Sequence, residues 1–391
     1  MKIIGLNIFL FLICSLGALS NIDSKENFYF NGKEKRAKRD SIKQAKIKAG
    51  KMIITPVGAP VYTPEFGFMI AGGVITSFKT NKSDSSLNRS FFPATIGFST
   101  TGALIFQSNL NSFWLQNKLQ INGSFIARYM SDHYWGVGYL SAQDIQKGDS
   151  TTSFKKTWYL FNPEFNWQFR ENYFIGVGID LNYTAMNNLT NYQKADPDIV
   201  RYGTNNYNGG VGLILKYDSR DIPINAYGGM MAKVNLTYYG PYLFSDNEYS
   251  ILQLDFRKYV PVTGKGKTLA IQFKSRFSSG NIPYGEMSMV GSPFDLRGYY
   301  WGNYRDKNMM LGIVEYRHRF DKINSNEPSK VGAVVWAGTG SVSSTLNEFS
   351  YWMPNLGIGL RYELQPRLNL RLDYGIGYNT TGFYFNFSEA F

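Results

Sequence analysis

Cysteine, histidine and long apolar runs are nearly missing from this chain, and each shortage removes a class of function. The single cysteine, Cys14, lies inside an apolar leader, so the rest has no disulfide framework and no thiolate chemistry. Two histidines, His133 and His318, have no cysteine or carboxylate cluster beside them, which argues against a metal site. No serine stands in a hydrolase triad pattern, and no phosphate loop or dinucleotide fingerprint is visible. The chain reads as a non-enzyme with no cofactor. Nor is there an apolar helix of the roughly 20 residues needed to cross a bilayer, which excludes a membrane α-bundle.

Aromatic residues, by contrast, are plentiful. They make up 16% of the chain, with 28 Tyr and 29 Phe, while mean hydropathy is slightly negative at −0.26. A transmembrane β-barrel produces that combination, because aromatic girdles mark both interfaces while a polar lumen lowers the average. Residues 1–20 read as a cleaved secretory leader, with Lys2, the apolar run Ile8–Ile13 and the small-residue site Ala18-Leu19-Ser20. Ile13 stands before Cys14 where a lipoprotein signal needs a small residue. Much of the +12 net charge sits in residues 21–51, a basic arm with the composition of disorder. It suits a solubilising linker, or a contact with anionic lipid or a periplasmic partner; an exported chain does not meet nucleic acid.

From residue 52 to 391 the sequence alternates with period two and offers no convincing helix. Leu368, Leu370, Leu372, Tyr374, Ile376 and Tyr378 alternate with Asn369, Arg371, Asp373, Gly375 and Gly377. Leu356, Ile358, Leu360 and Tyr362 alternate with Gly357, Gly359, Arg361 and Glu363. One face is lipid-grade and the other suits a wet lumen. The pattern predicts an all-β, single antiparallel transmembrane barrel of sixteen strands, at 53–63, 67–80, 91–101, 103–115, 118–130, 155–169, 172–186, 206–219, 227–240, 248–261, 267–279, 308–320, 329–340, 352–364, 367–378 and 381–391. The split of 103–130 is the division least marked by turn residues, and fourteen strands is the alternative count. An even number puts both termini in the periplasm, and the long connectors 131–154, 187–205, 280–307 and 341–351 all follow odd strands.

Within 280–307, Leu296-Arg297-Gly298-Tyr299 resembles the (V/L)RG(F/Y) signature of the bacterial surface-antigen, or outer-membrane barrel-assembly, superfamily. Other segments resemble the same superfamily. One is the turn from Asp218, Arg220 and Asp221 through Pro223 to Gly228, in which the carboxylates can accept backbone N–H bonds. Another is Tyr134-Trp135-Gly136-Val137-Gly138. The alternating Phe383, Phe385, Phe387 and Phe391 have the form of an outer-membrane insertion signal, with all four facing lipid.

The resemblance implies a barrel of the bacterial outer membrane that inserts or translocates polypeptides, with lipids, periplasmic accessory proteins and unfolded clients as partners. It also implies that Arg297 folds back into the lumen to meet Glu315, stiffening the wall opposite strand 1. The family's second lumenal carboxylate position is occupied by Trp336, so Arg297 is expected to keep one carboxylate and to gain the indole ring. Residues 21–51 are too few for one of the family's periplasmic POTRA domains, which leaves a passive channel or structural barrel as the competing reading.

Strand 1 adds a feature of its own. Pro56, Pro60 and Pro64 share one parity, so their missing N–H groups fall on one edge. Proline is tolerated at edges, and the economical arrangement turns these toward strand 16 as a poorly zipped seam. The alternative leaves Pro56 before the strand and Pro64 in the following turn, with Pro60 a local defect.

Overall fold

The computed structural model describes Ser41, Ala45, Lys46 and residues 49–391, apart from 146, 149, 150, 324, 326 and 366. The leader and most of the basic arm therefore lie outside the described residues. Met1–Ile53 and Ile54–Phe391 are separate compact units; in the first, Ser41, Ala45 and Lys46 are helical.

Sixteen antiparallel strands close into a barrel. They are β1 (Ile53–Thr63), β2 (Gly67–Phe78), β3 (Ser90–Ser99), β4 (Leu104–Trp114), β5 (Leu119–His133), β6 in two segments (Ser153–Phe161 and Glu164–Arg170), β7 (Tyr173–Asn187) and β8 (Asn205–Asp218). Then come β9 (Gly229–Tyr239), β10 (Tyr249–Pro261), β11 (Lys267–Gly280), β12 (Asn308–Asp321), β13 (Pro328–Ser343), β14 (Met353–Gln365), β15 (Leu368–Gly377) and β16 (Thr380–Phe387). Each pairs with its neighbours in sequence, and β1 meets β16.

The alternation is realised as an apolar outside and a polar inside. On β14 the outward Leu356, Ile358 and Leu360 are 57–63% exposed, whereas inward Arg361 is 4% exposed. Such an outer face is stable only against lipid. The division of 103–130 into two strands holds, through a turn of unusual residues. Leu115, Gln116 and Asn117 all have positive φ (51°, 57° and 69°), without the glycine or proline that normally marks such a place.

The long connectors leave one rim, after β5, β7, β11 and β13, and they contain helices that the periodicity did not suggest. These are α1 (Tyr139–Asp144), α2 (Asn191–Lys194) and α3 (Pro197–Tyr202). Local signals for two of them were present. Thr190 and Gln193 form a reciprocal capping box, and Asp196 caps α3 with Pro197 in its first turn. Tyr139 of α1 stacks on Tyr304 and Tyr351, at ring distances of 5.3 and 4.6 Å, joining three connectors over the lumen.

Candidate functional site in the lumen

The connector 281–307 folds inward, pairing Ser288 with Asp306 and Met289 with Arg305 in a short ladder. Its tip is shaped by Asp295, whose Oδ1 accepts from the backbone N–H of Gly291, Ser292 and Leu296 at 3.1, 2.7 and 2.6 Å. Gly298 then takes φ 116°, a conformation costly for any residue with a Cβ. A Cβ there would stand 2.8 Å from the carbonyl carbon of Gly375 on β15, so two glycines let backbone pack on backbone. The tip is held by β14 and β16 as well. Tyr299 Oη donates to the Pro354 carbonyl at 2.7 Å, Asn355 Nδ2 donates to the Arg297 carbonyl, and Gly298 N–H donates to Tyr384 Oη at 2.9 Å.

Arg297 is fully buried and has two carboxylates, not one. Nη2 reaches Glu315 on β12 at 2.6 Å and Nη1 reaches Asp373 on β15 at 2.8 Å. The expectation that Trp336 costs Arg297 its second carboxylate is thus corrected: the neighbouring wall supplies Asp373 from a different strand. Trp336 still contributes, its ring lying 3.5 Å from the Arg297 Cζ while its Nε1 donates to Asn355 at 2.9 Å. Both carboxylates are shared. Glu315 also binds Arg317 at 2.7 Å, and Asp373 binds Arg361 at 2.5 Å. Arg361 continues to Glu389 at 2.9 Å. Charge-assisted bonds of this kind, away from water, fix geometry strongly. They join β12, β14 and β15 to the connector, so the stiffened wall runs up to β16 and forms one lip of the seam; it is not the wall opposite. On the far side of the seam, Trp301 N–H donates to Glu65 of the β1–β2 turn at 3.0 Å.

At the other rim, Asp218 grips Arg220 through two bonds of 2.8 Å. Asp221 Oδ1 accepts from Tyr227 N–H at 3.0 Å and Gly228 N–H at 3.4 Å, with Pro223 in the bend between them. The β8–β9 turn so formed reaches the β14–β15 turn. Arg367 donates to Asp221 and to the Asn225 carbonyl, both at 2.8 Å, and its Cζ lies 3.5 Å from the Tyr227 ring. Arg319, paired with Glu363 at 2.8 Å, donates to Tyr227 Oη at 3.2 Å. Tyr227 and Arg367 were not singled out from sequence. Their partners lie about 140 residues apart, and no local pattern marks that.

Among the described residues the seam shows one ladder position, Tyr62 opposite Phe385, whereas neighbouring pairs from β2 round to β16 show six to thirteen. Extending that register places Pro60 opposite Phe387, the end of β16, and leaves Ile54–Ala59 beyond it. The Val57 carbonyl lies beside Gly72 and the Ala71 carbonyl beside Gly58, so odd-numbered residues of β1 turn their polar groups to β2. Pro56 and Pro60 therefore turn the other way, toward β16, while Pro64 lies in the β1–β2 turn. Phe383 is exposed on the outer face, with Phe385 and Phe387 half-buried there. Phe391 does not face lipid. Ser388 adopts φ 66° and turns the chain inward; Glu389 binds Arg361 and Asn369, and buried Phe391 packs near Tyr259 while its main-chain oxygen accepts from Arg317 at 2.9 Å. The ion pairs outcompete continued strand pairing.

Residues 93–391 match the model of the Omp85 superfamily domain. The chain belongs to the Omp85 superfamily. Among solved structures, BamA from Haemophilus ducreyi lacking POTRA domains 1-3 is similar over 86% of this chain and 70% of that one, at 12% identity and a TM-score of 0.59. CdiB from Escherichia coli is similar over 86% of this chain and 62% of its own, at 11% identity and 0.55. CdiB from Acinetobacter baumannii is similar over 86% and 60%, at 12% identity and 0.52. The chain thus spans less than two-thirds of either CdiB, and at these identities the likeness is one of fold. No curated protein matches the sequence. As an Omp85 barrel the protein resides in the bacterial outer membrane, and its inward connector with the buried Arg297 is built into a wall that ends at the closing seam.

Proposed function

We propose that this Omp85 barrel inserts polypeptides into the outer membrane, or passes them across it, by parting β1 from β16. The observation that carries the reading is that, among the described residues, β1 and β16 share one ladder position, Tyr62 opposite Phe385, where the closed sheet joins its ends. Each missing ladder bond forfeits about 0.5–1.5 kcal/mol net, and unpaired backbone facing lipid costs more. Pro56 and Pro60 add to the deficit by withholding two donors on that edge. An unpaired strand edge is a template for an incoming strand, so the work needs no covalent chemistry and no cofactor. The clients are unfolded outer-membrane or exported chains. Residues 1–20 act as the cleaved leader and residues 21–51 as a basic periplasmic arm available to accessory proteins or anionic lipid.

A passive channel or structural barrel is the second reading, favoured by a lumenal cavity of about 1200 Å³. A lock separates the two. Tyr62→Cys with Phe385→Cys places a disulfide across the seam. In cells depleted of the native protein, the locked barrel should fold, fail to restore growth and the outer-membrane proteome, and recover when a reductant is added. A locked barrel that restores both would refute lateral opening and leave the channel or structural role.

A further inference from the structure

Under the rim that carries the long connectors, the inward connector packs on the wall of β5 and β6 around a second, small cavity. It measures about 10 Å³, room for a single water-sized occupant, and its charged lining is Glu65, Arg128, Asp132, Lys156 and Arg305. Asp132 and Lys156 satisfy each other at 3.2 Å, and Asp132 Oδ1 also accepts from the His133 N–H. The two arginines differ. Arg305 is 1% exposed and donates from Nη1 to the Tyr284 carbonyl at 3.1 Å, yet its Nε and Nη2 are buried with no partner among the described residues. Arg128, with its Cζ 5.0 Å from the Trp158 ring and 5.4 Å from the Trp301 ring, likewise has a buried, unpartnered Nε. Glu65 Oε1 accepts the Trp301 N–H at 3.0 Å, while Oε2 is buried and unpartnered. Three cations thus face two carboxylates, a net +1, with three arginine donors lacking an acceptor. Buried charge without a partner is strongly unfavourable, so this arrangement calls for an anion.

We propose that this cavity is a binding site for one chloride ion, held by Arg128 and Arg305 and pinning the connector to the β5–β6 wall. Size and charge select the ligand. Sulfate, phosphate and carboxylates are polyatomic and exceed the cavity. A water molecule fits, but its two lone pairs leave a third donor unmet and the net charge in place. A halide accepts from all three donors and neutralises the charge. Met130 and Met289, unbranched and adaptable, complete the lining around an ion slightly larger than water. A bare carboxylate oxygen would repel the ion, so Glu65 carries a proton on Oε2 and donates it to chloride, while Oε1 keeps the Trp301 N–H. Burial pushes the Glu65 carboxyl up, against the pull of the Trp301 and Glu65 N–H groups, Thr63 and Lys147. Tyr300 on the connector and Tyr384 on β16 are the remaining titratable neighbours. Chloride binding is thereby linked to uptake of one proton.

The test uses the purified full-length barrel, in nanodiscs for solution work and in crystals grown with sodium bromide. Bromide should give an anomalous scattering peak between Arg128 and Arg305. In solution, chloride should slow amide hydrogen exchange over residues 284–306 relative to gluconate at equal ionic strength, about tenfold at roughly ten times its Kd. Chloride affinity should fall about tenfold per pH unit above the folded Glu65 pKa, because the proton that binds with the ion must then be taken from solution. Glu65→Gln, whose amide donates without a proton, should bind chloride with no such pH dependence. Arg305→Gln should abolish the chloride effect; the bromide peak and the pH dependence need no arginine variant, so a misfolded Arg305→Gln does not remove the test. Exchange that follows ionic strength and not chloride, or bromide found only elsewhere, would overturn the site in favour of a bound water. A chloride effect that survives in folded Arg305→Gln would place the ion elsewhere and overturn it too. The seam-locked barrel should respond to chloride as the unlocked one does, since the site does not depend on lateral opening.

Discussion

Arg297→Ala tests whether the inward connector is held by the lumenal charge network or merely rests in it. The arginine gives up two bonds to fully buried carboxylates, at 2.6 and 2.8 Å, and a ring contact at 3.5 Å. Removing one partner from a buried ion pair costs about 3–5 kcal/mol. Glu315 and Asp373 keep Arg317 and Arg361, which favours the lower end, while the Trp336 contact adds about 0.5–2 kcal/mol. The connector should therefore detach between about 300 and 4,000 times more often, at a factor of ten per 1.4 kcal/mol. Amide hydrogen exchange over residues 290–304 in the native barrel reads this directly. Asp373→Asn and Glu315→Gln should each raise exchange, and each combined with Arg297→Ala should fall short of additivity by about 1 kcal/mol or more, since both members of a pair are then gone. Additivity within about 0.5 kcal/mol in both cycles would refute the network as the anchor.

Gly298→Ala should destabilise the connector by about 1–3 kcal/mol, because φ 116° and the Gly375 backbone leave no place for a Cβ; unchanged protease resistance of residues 281–307 would contradict this. At the opposite rim, Arg367→Gln should lower resistance to urea at neutral pH through loss of the Asp221 pair. Burial pushes the Asp221 carboxyl up, but the N–H groups of Tyr227 and Ile222, with Arg367, outweigh it and hold it below the usual carboxylate range. The pair's contribution is thus complete above the unfolded carboxylate pKa and fades as pH falls through the depressed folded one, so the cost of Arg367→Gln should shrink in acid. A pH-independent cost would show that the two residues are not coupled. Single cysteines at Asn191 and Arg220 should report topology in intact cells, with Asn191 labelled from outside and Arg220 protected; the reverse pattern would invert the barrel.

What the sequence disclosed follows from which interactions are local. Period-two alternation fixes the face of every residue from its neighbours, so all sixteen strands were readable to within a few residues, Leu356–Tyr362 and Leu368–Tyr378 most clearly. Turn chemistry is local too, and Asp218 and Asp221 could be assigned as backbone acceptors. The pairing of Arg297 with Glu315 came from resemblance. Its pairing with Asp373 needed the tip to cross onto β15, where Gly298 and Gly375 allow it, and neither glycine states its partner in sequence. The inward turn at Ser388 escaped for another reason. Phe391 continues the alternation of Phe383–Phe387, and only the buried Arg361 and Arg317, on strands distant in sequence, draw Glu389 and Phe391 inside.

The two lips of the seam are therefore built differently. β16 belongs to a wall cross-linked by Glu315, Asp373, Arg361 and Glu389 and buttressed by the connector's tip through Tyr384. β1 belongs to a run of strands without a charge, joined to β2 by backbone bonds and to the connector through Glu65 and Trp301. Moving β16 outward would strip partners from several buried charges, each costing several kcal/mol, whereas moving β1 breaks one such contact, Trp301 N–H to Glu65, and otherwise exposes small apolar residues and edge carbonyls that an incoming strand can cover. Opening should accordingly swing β1 and β2 away from a stationary β16. Spin labels at Phe68 and Phe98 should then show broad distances to one at Phe383, while the distance from Phe383 to Leu356 stays narrow. Equal breadth on both sides would mean that the charge network does not hold the β16 lip in place.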